Sequence, residues 1–150
     1  MNKLTSLAIA IAFGFAGSAF AADNNAGMSK DQYKAEKDKI EAQYKTDKAA
    51  CDGMKANAKD ICHAEAKGKE NVAKAQLEEQ YKPSAKNEEK VKAAQADAEY
   101  KVAKEKCDDM KGDAKSACQK QAKAAHTSAK TQAKADEKTE KANEKAAKKS

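Results

Sequence analysis

The segment CDGMKANAKDIC, residues 51–62, returns as CDDMKGDAKSAC at residues 107–118. In each copy two cysteines stand eleven positions apart around a Lys/Ala stretch. On one unbroken helix such residues would share a face but lie about 16 Å apart, at a rise of 1.5 Å per residue. A disulfide needs its Cα atoms within roughly 7 Å. The cysteines can bond within a frame only if the chain turns back between them. Asn57, with Asp60 three residues on, offers an N-cap for a returning helix in the first frame. In the second, Gly112 offers a helix stop and Asp113 a cap.

The frames belong to a tandem duplication. Residues 41–67 laid over 97–123 give thirteen identities in twenty-seven positions without a gap, at a period of 56. That period is eight heptads, so a helical seam keeps its phase from one copy to the next. Ala93, Ala96, Tyr100, Ala103, Cys107 and Met110 follow steps of three and four, and in the first copy Tyr33, Lys37, Ile40, Tyr44, Asp47, Cys51 and Met54 do the same. Both read as narrow, coiled-coil-like stripes on amphipathic helices, with the tyrosines as core anchors whose hydroxyls reach water. Pro83 must end a helix, because its ring clashes with the preceding turn and biases Lys82 out of the helical region.

These breaks predict four helical stretches, at about 29–55, 57–82, 85–111 and 113–145. The expected fold is all-α: two tandem antiparallel hairpins, 29–82 and 85–125, forming either a closed bundle or an extended pair. A polar tail at 126–150, helical or disordered, follows; no large apolar residue occurs after Cys118, and His126 reads as solvated. The expected structural disulfides are Cys51 to Cys62 and Cys107 to Cys118, because each copy of a duplication should be complete alone. A symmetric rival joins Cys51 to Cys118 and Cys62 to Cys107 in one long hairpin about Pro83 and Ser84. It resembles the twin-cysteine hairpins of the mitochondrial intermembrane space in principle, though not in spacing.

Composition sets the compartment. Residues 1–21 have a short n-region with Lys3, an apolar run from about Leu7 to Phe15 and an Ala19-Phe20-Ala21 site, the build of a cleavable signal peptide. That run is too short for a membrane span of roughly 20 residues, and nothing later could cross a bilayer. The expected location is the periplasm, with secretion as the alternative. After residue 21 the only branched aliphatics are Ile40, Ile61, Val72, Leu77, Val91 and Val102, so helix is strongly encoded and tertiary packing weakly. The formal charge of +6 includes Lys3, all basic residues are lysine, and acids are interspersed among them. Without arginine or a one-sided basic patch, this composition speaks against nucleic-acid binding.

No residue pattern points to catalysis, a cofactor or a metal. Cys62-His63 lacks the partner cysteine of a haem-attachment motif, since position 59 is Lys. Zinc-type ligand spacings are missing, and Gln119 stands where the first copy has His63. No close Cys-x-x-Cys redox pair, Ser/His/acid constellation or glycine-rich phosphate loop is present.

The signal peptide, the repeated Tyr-Lys and Cys-Asp-x-Met frames, NAKDIC and EAKGKE resemble a family of small Lys/Ala-rich exported proteins of Gram-negative bacteria, sometimes labelled TolA-like cell-envelope proteins. The resemblance covers residues 30–130 and implies an envelope setting and no activity. The expected function is that of a non-enzymatic periplasmic helical protein with a structural or interaction role in the envelope, its partners anionic polymers or partner helices. A second expectation is a stress-protective hydrophilic protein, since KADEKTEKANEKAAKK at 134–149 is similar in texture to late-embryogenesis-abundant repeats. A metal or redox protein is the third class, and it requires free or metal-bound thiols.

Overall fold

A computed structural model describes residues 27–149; the expected signal peptide, 1–21, lies outside them. Four helices carry the chain: α1 Lys30–Ala50, α2 Ala56–Tyr81, α3 Ala85–Asp108 and α4 Gly112–Ala147, with a single 3-10 turn at Cys51–Gly53. Alanine and lysine run through all four and favour helix wherever nothing interrupts them.

The helix ends follow local chemistry. Ser29 opens α1 with a capping box: its hydroxyl accepts from the Gln32 N–H at 3.2 Å, and the Gln32 side chain accepts from the Ser29 N–H at 2.8 Å. At Lys82, before Pro83, the backbone leaves the helical region (φ −138°, ψ 77°) and ends α2. Ser84 then caps α3 through the Asn87 N–H at 3.1 Å. Asn87 is buried and donates to the Lys82 carbonyl at 2.7 Å, satisfying an acceptor at the end of α2.

The caps expected at the other two turns are not used. Lys55 and Lys111 hold the N-cap positions of α2 and α4, and neither makes a side-chain cap bond. Ala56 and Gly112, equivalent in the duplication, take positive φ of 49° and 56° and already begin the returning helix, so the N-cap positions fall two residues before Asn57 and Asp113. Asn57 instead lies inside α2 and donates to the Glu105 carbonyl of α3 at 2.6 Å. Asp113 sits in the first turn of α4, where its charge complements the helix dipole.

The helices run up, down, up, down, and each packs only on its neighbours in the chain. Among the described residues no Cα of α1 comes within 8 Å of α3 or α4, and none of α2 comes within 8 Å of α4. Of the two architectures compatible with the sequence, the extended pair is the one adopted. The hairpins meet along α2 and α3, where the helices approach closely: a Cβ on Gly68 would lie 2.8 Å from the Ala98 Cβ. Ala66, Val72, Leu77 and Ala96 are buried on these two helices. Cys51 and Cys107 are fully buried, so each staple has one sulfur in a dry place of a thin core.

Two details of the seam differ from expectation. Met54 and Met110 are 45% and 44% exposed, because the α-helix ends at Ala50 in the first copy and at Asp108 in the second and leaves them on the turn. The segment from 126 is continuous with α4 and packs on α3, with Ala133 only 1% exposed. Lysine–carboxylate bonds flanking an alanine stripe, such as Lys92 to Asp136 at 2.8 Å, take the place of large apolar side chains there.

Candidate functional site

Cys51 and Cys62 are bonded with Cα atoms 5.6 Å apart, and Cys107 and Cys118 at 5.7 Å. Each staple closes a hairpin tip. No described cysteine is free, so no thiolate is left to hold a metal or attack a disulfide. Beside the staple of the first tip, Asp52 Oδ1 lies 3.3 Å from Lys59 Nζ and 3.8 Å from His63 Nε2, which makes no hydrogen bond. At the second tip Asp108 takes the equivalent partners more closely, Lys115 at 3.0 Å and the Gln119 amide at 3.3 Å. The Lys115 bond holds the Asp108 carboxyl below its usual value. Among the described residues no group of three or more His, Cys, Asp or Glu side chains is placed to hold a metal ion.

Midway along each hairpin a tyrosine marks the corresponding level. In the first, Lys67 Nζ lies 4.9 Å from the Tyr44 ring centroid and also bonds the buried Glu70 at 2.7 Å. Lys74 bonds Glu70 at 2.8 Å and crosses to Glu41 of α1 at 3.3 Å. Burial pushes the Glu70 carboxyl up, but the two ammonium bonds outweigh it and leave the group below its ordinary value.

In the second hairpin the crossing pair is kept as Lys130 to Asp97 at 3.0 Å, but the residue equivalent to Glu70 is His126. Its ring stacks on Tyr100 with centroids 4.7 Å apart, and its Nε2 lies 2.5 Å from Asp97 Oδ1. His126 is therefore a partly buried, bonded histidine and not the solvated one expected of a free tail; Tyr100 and Asp97 both reach it from α3. Burial pushes the Asp97 carboxyl up, and the bonds from His126 and Lys130 more than reverse this.

Two hollows flank this level. A trough of about 640 Å³ runs over α3 between α2 and α4 on an apolar floor that includes Val72, Ala96, Val102 and Ala125. A smaller cleft of about 320 Å³ between α3 and α4 is lined by Tyr100, Lys104, Ser116, Gln119, Lys120 and Lys123. None of its lining residues is a carboxylate. The sequence reading treated Tyr100 as a core anchor and passed over the three lysines. The signal that identifies them lies in the mismatches between the copies, where Asp60 becomes Ser116, Ala64 becomes Lys120 and Glu70 becomes His126.

Fold and site together define an all-α array of two disulfide-stapled hairpins with a cationic cleft on the second. Set against known proteins, the chain matches no family model, no curated protein and no solved structure.

Proposed function

We propose that the protein is a non-enzymatic helical interaction protein of the periplasm that holds anionic polymers of the cell envelope on its lysine-rich surface. The observation that carries this reading is the open array. With each helix packed only on its chain neighbours, much helix surface stays uncovered, and on α3 and α4 it gathers a lysine cleft without an acidic lining. Two disulfides suit an oxidising compartment. Among the described residues no helix is long and apolar enough to cross a membrane. The resemblance to Lys/Ala-rich exported proteins of the envelope points the same way.

The test is a pull-down from envelope extracts with the oxidised protein as bait. Retention of anionic polymer is expected at low ionic strength and release as salt rises, because exposed charges separated by more than about 8 Å are screened at physiological salt. Failure to retain anything at low salt would remove the proposal.

A further inference from the structure

We infer that the cleft between α3 and α4 is a binding site for a phosphate group. This rests on the reading of the protein as a binder of anionic polymers and adds the place and the chemical group. Lys104 projects from α3, and Lys120 and Lys123 from α4, around one hollow with the Ser116 hydroxyl, the Gln119 amide and the Tyr100 phenol. Among the described residues none of the three ammonium groups has a carboxylate within ion-pair distance. Asp108 acts electrostatically on Lys104, but its charge is met directly by Lys115 at 3.0 Å. The volume of about 320 Å³ lies at the small end of ligand clefts, which run from roughly 300 to 1,000 Å³.

The duplication supplies an internal control. The equivalent positions of the first hairpin are Tyr44, Lys48, Asp60, His63, Ala64 and Lys67. There Asp60 brings a negative charge, Ala64 brings none, and Lys67 is held by Glu70 at 2.7 Å. In the second hairpin Ser116 removes the acid, Lys120 adds a cation, and His126 in place of Glu70 leaves Lys123 without its carboxylate. All three differences move the same hollow in one direction, on a backbone frame that the two copies share.

Phosphate suits this lining better than carboxylate does. A phosphate spreads its charge over several oxygens, which three ammonium point charges can meet from different sides. The serine hydroxyl, the tyrosine phenol and the second N–H of Gln119 add neutral donors. A single carboxylate would leave much of this donor set, and of the positive charge, unmatched.

The experiment is a titration of the oxidised, nitrogen-15-labelled protein followed by NMR, with tripolyphosphate in one arm and phosphatidylglycerol vesicles in the other. Polyglutamate is the carboxylate control. The proposal expects shifts concentrated at Lys104, Ser116, Gln119, Lys120 and Lys123, with small changes at Lys48, Asp60, His63, Ala64 and Lys67. A response to tripolyphosphate alone assigns the group to a free or polymer phosphate; a response to vesicles alone assigns it to a lipid headgroup. Ser116→Asp combined with Lys120→Ala gives the second hairpin the residues of the first at two exposed positions. It should weaken binding by about tenfold, equivalent to about 1.4 kcal/mol, with an unchanged thermal melt. Shifts spread evenly over the lysines of all four helices, equal binding of polyglutamate, wild-type affinity in the double variant, or no response to either probe would each overturn the site. If envelope polymer is still retained in that event, the general binding role stands without this cleft; if it is not, both fall.

Discussion

Lys67 covers the Tyr44 ring in the first hairpin, and His126 covers Tyr100 in the second. The two hairpins share their staples, their positive-φ turn residue and one crossing pair, Glu41 with Lys74 and Asp97 with Lys130. They differ in what fills the space between those fixed points. The first buries a carboxylate, Glu70, between two lysines and closes its far end with Tyr33, whose ring packs tilted against Tyr81 at 4.6 Å and whose hydroxyl donates to Glu78. That bond to Glu78 raises the Tyr33 pKa above the usual phenol value. The second hairpin closes the same end with lysine–carboxylate pairs and leaves lysines unneutralised nearer its tip. The parts that set the path of the chain were kept, while the charges between them were free to diverge, and divergence produced the cleft.

Removing a staple is the strongest way to break the comparison. A cross-link closing a loop of this length contributes about 3 kcal/mol. Cys51→Ser with Cys62→Ser should cost that much and free α1, which packs on α2 alone. Cys107→Ser with Cys118→Ser should cost a similar amount but leave α3 protected, because α3 still lies on α2. Amide hydrogen exchange resolved by helix distinguishes the two outcomes.

The joint between the hairpins comes next. Gly68→Ala gains helix propensity of about 1 kcal/mol but places a methyl 2.8 Å from Ala98 Cβ. Such overpacking costs typically about 1–3 kcal/mol, so a net loss in urea unfolding is expected. Its counterpart Ala124 is exposed on α4, and Ala124→Gly should cost only the propensity, about 1 kcal/mol.

A smaller effect is expected at the turns, where the copies differ in residue type but not in conformation. Ala56 has φ 49° and Gly112 has φ 56°. A left-handed non-glycine residue is strained by about 1 kcal/mol. Thermal melts should therefore show Ala56→Gly stabilising and Gly112→Ala destabilising by about that amount.

Acid should separate the hairpins more gently. Asp97, Asp108, Asp136 and Glu137 on α3 and α4 have lowered pKa values, against Glu70 alone on α2. A carboxyl with a depressed folded-state pKa contributes stability that is fully present above its unfolded value, near 4, and is lost as pH falls through the folded value. Amide exchange below about pH 4 should accelerate in α3 and α4 before α2.

Much of this architecture was legible because it rests on short-range constraints. Pro83 ends a helix by sterics alone, and two cysteines eleven apart on Lys/Ala helices can meet only across a turn. The caps were misplaced because Asn57 and Asp113 have the right chemistry two residues too late; the left-handed residue had already reversed the chain. His126 and the cleft lysines were missed because identity between the copies drew attention to Tyr100 and Cys118. The chemistry lies in the mismatches, and a lysine in a Lys-rich chain carries no mark of its own until a neighbouring acid is seen to be gone.

The account stands on each hairpin being a separately stapled unit, and peptide mapping of the oxidised protein tests that directly. Cleavage after lysine separates all four cysteines, since Lys55 and Lys59 lie within the first frame and Lys111 and Lys115 within the second. Without reductant, mass spectrometry should find 49–55 linked to 60–67, and 107–111 linked to 116–120. Linkage of 49–55 to 116–120 and of 60–67 to 107–111 would contradict it, replacing two hairpins by one long one.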